Sequence, residues 1–126
     1  MIKKLAKIET IGLNWFERGI LVVNAYGEYE DGWCQGFLNH VLDSYDKDLE
    51  ERVGTASGMN FLIDLLKFFG VDNLTEVEDY ICYVLIDDDE RQMSRKVLGF
   101  EQLHINPNKR SKLDKVIISD YFGGVE

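Results

Sequence analysis

The sequence predicts an α+β fold: an antiparallel sheet of about five strands, one main helix packed on one face, and a C-terminal extension. Three observations lead there. β-rich apolar runs lie both before and after a single helix-period segment. Glycine-containing and acidic clusters of turn type punctuate those runs. A chain of 126 residues, 45% hydrophobic and 12% aromatic, is long enough to bury a core as one unit without staples. Residues 1–105 read as a single α+β domain, and residues 106–126 as the extension, set off by the breaker Asn106-Pro107-Asn108.

Residues 3–13 alternate well enough for a first strand, and Asn14 to Gly19 reads as a turn that Gly19 can close. Ile20 to Tyr26 is apolar on both faces except at Asn24, which suits a central strand. Glu28 to Gly32 is polar and predicts a second hairpin turn. Trp33 to Leu42 follows as a third strand, with Gly36 marking a bulge or a close backbone approach. Asp43 to Arg52 reads as an acidic loop with one helical turn at Lys47–Arg52.

The helix spans about Ser57 to Phe69. Thr55 or Ser57 can accept from its first free N–H groups, and Gly70 stands at the stop position. Its apolar stripe is wide, interrupted only by Asn60, Asp64 and Lys67, so the helix is expected to cover a sheet face and to meet a second subunit. Asn73 to Asp79 is a capped polar segment. Tyr80 to Ile86 is a strand apolar on both sides, Asp87 to Gln92 its turn, and Met93 to Ile105 the return strand. Val116–Ile118 and Tyr121-Phe122 form a last apolar segment able to dock on the body or on a neighbouring copy.

Charge is distributed unevenly around the net −9. Residues 1–26 carry four bases and two acids, whereas residues 27–52 carry two bases and eight acids. Residues 71–90 hold eight acids and no base, and residues 91–126 seven bases and four acids. An acidic middle disfavours direct nucleic-acid contact through that face and attracts a basic surface. The expected partner-binding residues are Glu28, Glu30, Asp31, Asp43, Asp46, Asp48, Glu50, Glu51, Asp87, Asp88, Asp89 and Glu90. The basic cluster Lys109, Arg110, Lys112 and Lys115 has no interleaved aromatics, and pairing with acidic loops of this chain or of a partner subunit suits it better than nucleic acid.

The N-terminal apolar residues alternate instead of forming a continuous core, which argues against a signal peptide, and no apolar run reaches membrane-spanning length. With Cys34 and Cys82 the only cysteines, the expectation is a cytoplasmic protein whose reduced thiols are both buried.

Little in the chain specifies a reaction, and no catalytic residue, cofactor or metal site is assigned. Asp87-Asp88-Asp89-Glu90 reads as a solvated turn, since it lacks the central glycine of a calcium loop. Counting from Asp46, a calcium loop would need glycine where Glu51 stands and glutamate where Ser57 stands. Cys34 and His40 are six residues apart, roughly 20 Å on a regular strand, too far to act as nucleophile and base. The loop Gly54-Thr55-Ala56-Ser57-Gly58 at the helix start is the candidate small-ligand site. Its free N–H groups and the helix dipole favour an anion, with Arg52 adding a positive charge and Gly54, Thr55, Ser57 and Gly58 forming the cradle.

The order Tyr26-Gly27, Gln35-Gly36-Phe37, Val41-Leu42-Asp43, Gly58, Phe61-Leu62, Leu65-Leu66 and Gly70-Val71 resembles a loose pattern found in small phage and prophage accessory proteins, over roughly residues 8–100. Leu38-Asn39 stands where those proteins carry a glycine pair, and Thr75-Glu76 where they carry Trp-Glu. Leu98-Gly99-Phe100 stands in place of their I-G-N. The resemblance implies an accessory protein that acts by binding, such as an inhibitor of a host defence complex of the CRISPR–Cas type, its acidic surface imitating phosphates. The partner would then be a basic surface of a host protein or nucleoprotein, met in the host cytoplasm. The alternative is a protein that sequesters a small nucleotide-like anion at the helix N-terminus. The both-sided apolar strands and the wide helix stripe predict a homodimer.

Overall fold

The computed structural model describes residues 2–16, 20–87, 96–103 and 108–122. Its strands are β1 (Ile2–Phe16), β2 (Ile20–Tyr29), β3 (Cys34–Val41), β4 (Asp43–Asp46), β5 (Glu51–Gly54), β6 (Glu78–Ile86), β7 (Val97–Glu101) and β8 (Lys115–Ile117). Helix α1 (Ala56–Phe69) follows β5, a 3₁₀ turn spans Leu74–Glu76, and a short helix α2 (Ser119–Phe122) follows β8. The fold is α+β. Six strands form one sheet in the order β3-β2-β1-β6-β7-β8, every described pairing antiparallel, and β4-β5 form a separate hairpin.

One face of the sheet carries the core. Ala6, Ile8, Val23, Ala25, Cys82, Val84 and Phe100 meet Phe61, Leu65, Phe68 and Phe69 of α1. The last apolar segment docks on this same body: β8 adds the sixth strand, with Val116 and Ile118 buried. Tyr121 of α2 donates a hydrogen bond of 2.5 Å to Asp64 of α1, and Phe122 stacks on His40 at 5.2 Å between ring centres.

Several boundaries differ from the sequence expectation. β1 runs past Asn14, because Leu13, Asn14 and Trp15 pair with Val23, Val22 and Leu21, and Asn14 Nδ2 donates to Asn24 Oδ1 at 3.1 Å. Within the expected return strand, pairing covers Val97–Glu101; residues 93–95, 104 and 105 lie outside the described residues. The acidic segment 43–52 is a hairpin and not a loop with a helical turn. Asp46 Oδ1 accepts from Asp48 and Leu49 N–H at 2.9 and 3.2 Å, and Glu50 takes a left-handed φ of 54°. That local geometry reverses the chain where helical turns would need sequential α dihedrals.

The bulge expected near Gly36 falls at Phe37, the extra residue between pairs Ala25–Leu38 and Tyr26–Gly36. It switches side-chain alternation along β3. Cys34 therefore opposes Glu28 on the outer face and is exposed, whereas His40 opposes Val23 and turns under α1. The expectation that both cysteines are buried holds only for Cys82, whose thiol burial pushes far above its ordinary pKa.

Thr55 caps α1: its hydroxyl accepts from Gly58 N–H at 3.0 Å and donates to Leu42 O at 2.7 Å. The other end is closed by residues far along the chain. Gly70 N–H, at φ 65°, bonds Leu66 O; Lys112 N–H bonds Lys67 O at 2.9 Å. Gln102 Nε2 bonds Phe68 O at 2.7 Å and Asn108 Nδ2 bonds Phe69 O at 3.0 Å. All four terminal carbonyls are thus satisfied.

Candidate functional site

Within the expected small-ligand loop at the start of α1, Arg52, Thr55 and Gly58 carry structural contacts of their own. Arg52 faces Asp43 in a forked pair, Nε to Oδ2 at 3.0 Å and Nη2 to Oδ1 at 2.9 Å, and also reaches the Asp43 carbonyl at 3.2 Å. Asp43 Oδ1 accepts from Leu21 N–H as well, at 3.2 Å. The Arg52 hydrogen bond holds the Asp43 carboxyl below its ordinary pKa, and Asp43 in turn raises that of Arg52. Sequence reasoning assigned Arg52 to an anion and Asp43 to a basic partner; the fold instead pairs them with each other, and together they tie the hairpin to β2.

Gly58 has an equally local purpose. A Cβ there would stand 2.2 Å from Leu42 O, so the glycine lets the first turn of α1 press on that backbone. Gly54 has open space where its Cβ would be, and Ser57 is exposed. Recruiting Arg52 to an anion at this loop would break its pairing with Asp43.

The expected partner-binding acids separate into groups at opposite ends of β2. Asp46, Asp48, Glu50 and Glu51 lie on the hairpin, which is anchored at Leu21. Glu28, Glu30 and Asp31 lie at the other end, roughly 25 Å away at strand rise. Asp87 joins β6 to the next segment, its N–H bonded to Lys96 O at 3.1 Å. Asp88, Asp89 and Glu90 lie outside the described residues.

The group at the end of β2 is larger than the sequence suggested, because the sheet brings in acids from two other strands. Lys7 on β1 opposes Glu28 on one side and Ile81 on the other. Its ammonium lies 4.0 Å from Asp79, and that of Lys4 lies 3.8 Å from Asp31. Glu78 opposes Thr10, and Glu9 occupies the β1 bulge. The Cys34 hydrogen bond raises the Tyr26 pKa, and the charges of Glu9 and Glu28 add to it. Glu9, Glu28, Glu30, Glu78 and Asp79 thus gather around Lys7 on the sheet face that α1 does not cover, while Lys4, opposite Val84 and in step with Ala6, draws Asp31 toward the other face.

Tyr26, Trp33 and Ile81 are exposed, and a cleft of about 250 Å³ is lined by Leu5, Lys7, Glu28, Glu30 and Ile81. Glu9, Glu78 and Asp79 were missed because they belong to strands 70 residues apart in sequence; only the β1–β6 register joins them. Among the described residues no cluster of three His, Cys, Asp or Glu side chains could hold a metal ion, and no helix is long and apolar enough to cross a membrane. Compared with known proteins, the chain matches no family model, no curated protein and no solved structure.

Proposed function

We propose that this protein acts by binding, presenting the acidic outer face of its sheet to a basic surface of another protein or of a nucleoprotein complex. The observation that carries this reading is the convergence of five carboxylates, Glu9, Glu28, Glu30, Glu78 and Asp79, from β1, β2, β6 and the β2–β3 turn around Lys7, beside exposed Tyr26 and Ile81. Carboxylates spaced along neighbouring strands can imitate a run of phosphates, and the aromatic and aliphatic groups among them supply the apolar contact that a purely solubilising surface does not need. The resemblance of the sequence to phage accessory proteins directs this to a host defence complex, such as CRISPR–Cas, as the partner.

The test is capture of a basic partner from host lysate at low and at high salt, with wild type and a Glu30→Lys/Asp31→Lys variant. Binding should weaken steeply with salt and be lost in the variant. Capture that is indifferent to both salt and charge reversal would overturn the reading.

A further inference from the structure

The outward side of α1 carries an apolar stripe that the sheet does not use. Met59 is 59% and Ile63 41% exposed, and Leu66 continues the row one turn on, half-buried. Residues spaced by four and three lie on one face of a helix. At the C-terminal end the stripe runs into a cleft of about 440 Å³, with Ile63, Leu66 and Val71 on its apolar lining.

The cleft is basic. Lys67, Lys109, Arg110 and Lys112 line it against one carboxylate, Asp72, a net charge of +3. Asp72 lies 3.4 Å from Arg110, and Asp64 lies 3.9 Å from Lys67. Lys109 and Lys112 are both exposed.

The N-terminal end of the same helix has the opposite character. Residues 43–54 carry five acids and two bases, a net charge of −3. With Asp43 and Arg52 paired to each other, the unbalanced charge falls on Asp46, Asp48, Glu50 and Glu51. Beside them Tyr45 and Leu49 are 56% and 60% exposed. A helix of 14 residues separates the two ends by about 21 Å.

An acidic hairpin with exposed apolar residues precedes α1, a basic cleft with an apolar lining lies at its far end, and an exposed apolar stripe runs along the helix, so the charges of the two ends are complementary. Placed against itself about a two-fold axis, such a surface satisfies both ends at once. We propose that two copies of this chain associate through α1 packed antiparallel to its counterpart, Met59, Ile63 and Leu66 forming the seam. The β4–β5 hairpin of each copy then sits against the basic cleft of the other. This arrangement is closed, isologous and contains two equal charge contacts. It goes beyond the binding role proposed for the outer sheet face and uses different residues, so either can fail alone.

The experiment is sedimentation equilibrium at low ionic strength and high micromolar concentration. It compares the full chain with Lys109→Glu/Lys112→Glu and Asp48→Lys/Glu51→Lys, all substitutions at exposed positions, with folding checked by circular dichroism. The wild type should have twice the chain mass. Each variant alone should have half that value, since both contacts become like-charged, and an equimolar mixture of the two should return to the dimer mass. Glu30→Lys/Asp31→Lys should leave the wild-type mass unchanged. A monomeric wild type, folded variants that remain dimeric alone, a mixture that does not associate, or a mass climbing past two copies would overturn the proposal.

Discussion

Replacing Gln102 with methionine keeps the length of the side chain and removes its amide. Gln102 is 6% exposed and stands between three segments. Its Nε2 donates to Phe68 O at 2.7 Å and to Ser111 Oγ at 3.0 Å, and its Oε1 accepts from Tyr80 OH at 2.8 Å. Ser111 retains its bond to Leu113 O, so the groups left without partners are the buried Phe68 carbonyl and the half-buried Tyr80 hydroxyl proton. Each orphaned group costs about 1–3 kcal/mol, with Tyr80 toward the lower end, for a sum near 3 kcal/mol.

Unfolding entropy of about 2.1 cal/mol/K per residue converts that loss, over 126 residues, to a fall of roughly 10 °C in Tm. Thermal and urea melts followed by circular dichroism would read it. In a Tyr80→Phe background the same substitution should cost about 1 kcal/mol less, because one of its two victims is already gone. A Gln102→Met protein within about 0.5 kcal/mol of wild type would refute the view that this amide holds the end of α1.

Gly58→Ala should destabilise by about 2 kcal/mol despite the better helix propensity of alanine, since its Cβ would press on Leu42 O, whereas Gly54→Ala should be close to neutral; equal urea midpoints for the pair would contradict the proposed close approach. Burial lowers the pKa of His40 below its ordinary value of 6.5, so the unfolded chain binds its proton more readily. Stability contributed by neutral His40 is therefore complete above about pH 6.5 and declines as pH falls through the folded-state pKa. Urea melts at about pH 7 and about pH 5 should show a steeper loss for wild type than for His40→Phe, and parallel losses would rule the histidine out.

The parts of the fold legible in the sequence are those determined by near neighbours. Thr55 three residues before Gly58, and Gly70 after an apolar run, announce both ends of α1 because capping is local chemistry. Gly36 pointed to the β3 bulge for a related reason, since a glycine inside an apolar strand signals a departure from regular pairing. The β4–β5 hairpin was illegible: Asp43–Asp46 and Glu51–Gly54 have weak strand propensity, and their pairing depends on the Asp43–Arg52 fork and the Leu21 backbone. The acidic outer face was legible only in part. Glu28, Glu30 and Asp31 stand out as a cluster in sequence, but Glu9, Glu78 and Asp79 join them only through strand register, which charge counting along the chain does not contain.

The closure of α1 by Gln102, Asn108 and Lys112 bears on how the chain is made. Two of these donors lie 34 and 39 residues beyond the carbonyls they serve. During synthesis from the N-terminus, β1 to β3 and the first turns of α1 emerge with their own local partners, while the last turn must wait for the third of the chain that follows β6. Until then Lys67, Phe68 and Phe69 present bare carbonyls next to unpacked aromatic rings. The tail is therefore the step that locks the helix, and a nascent or truncated chain ending before residue 102 would keep α1 frayed at the end where its largest side chains enter the core.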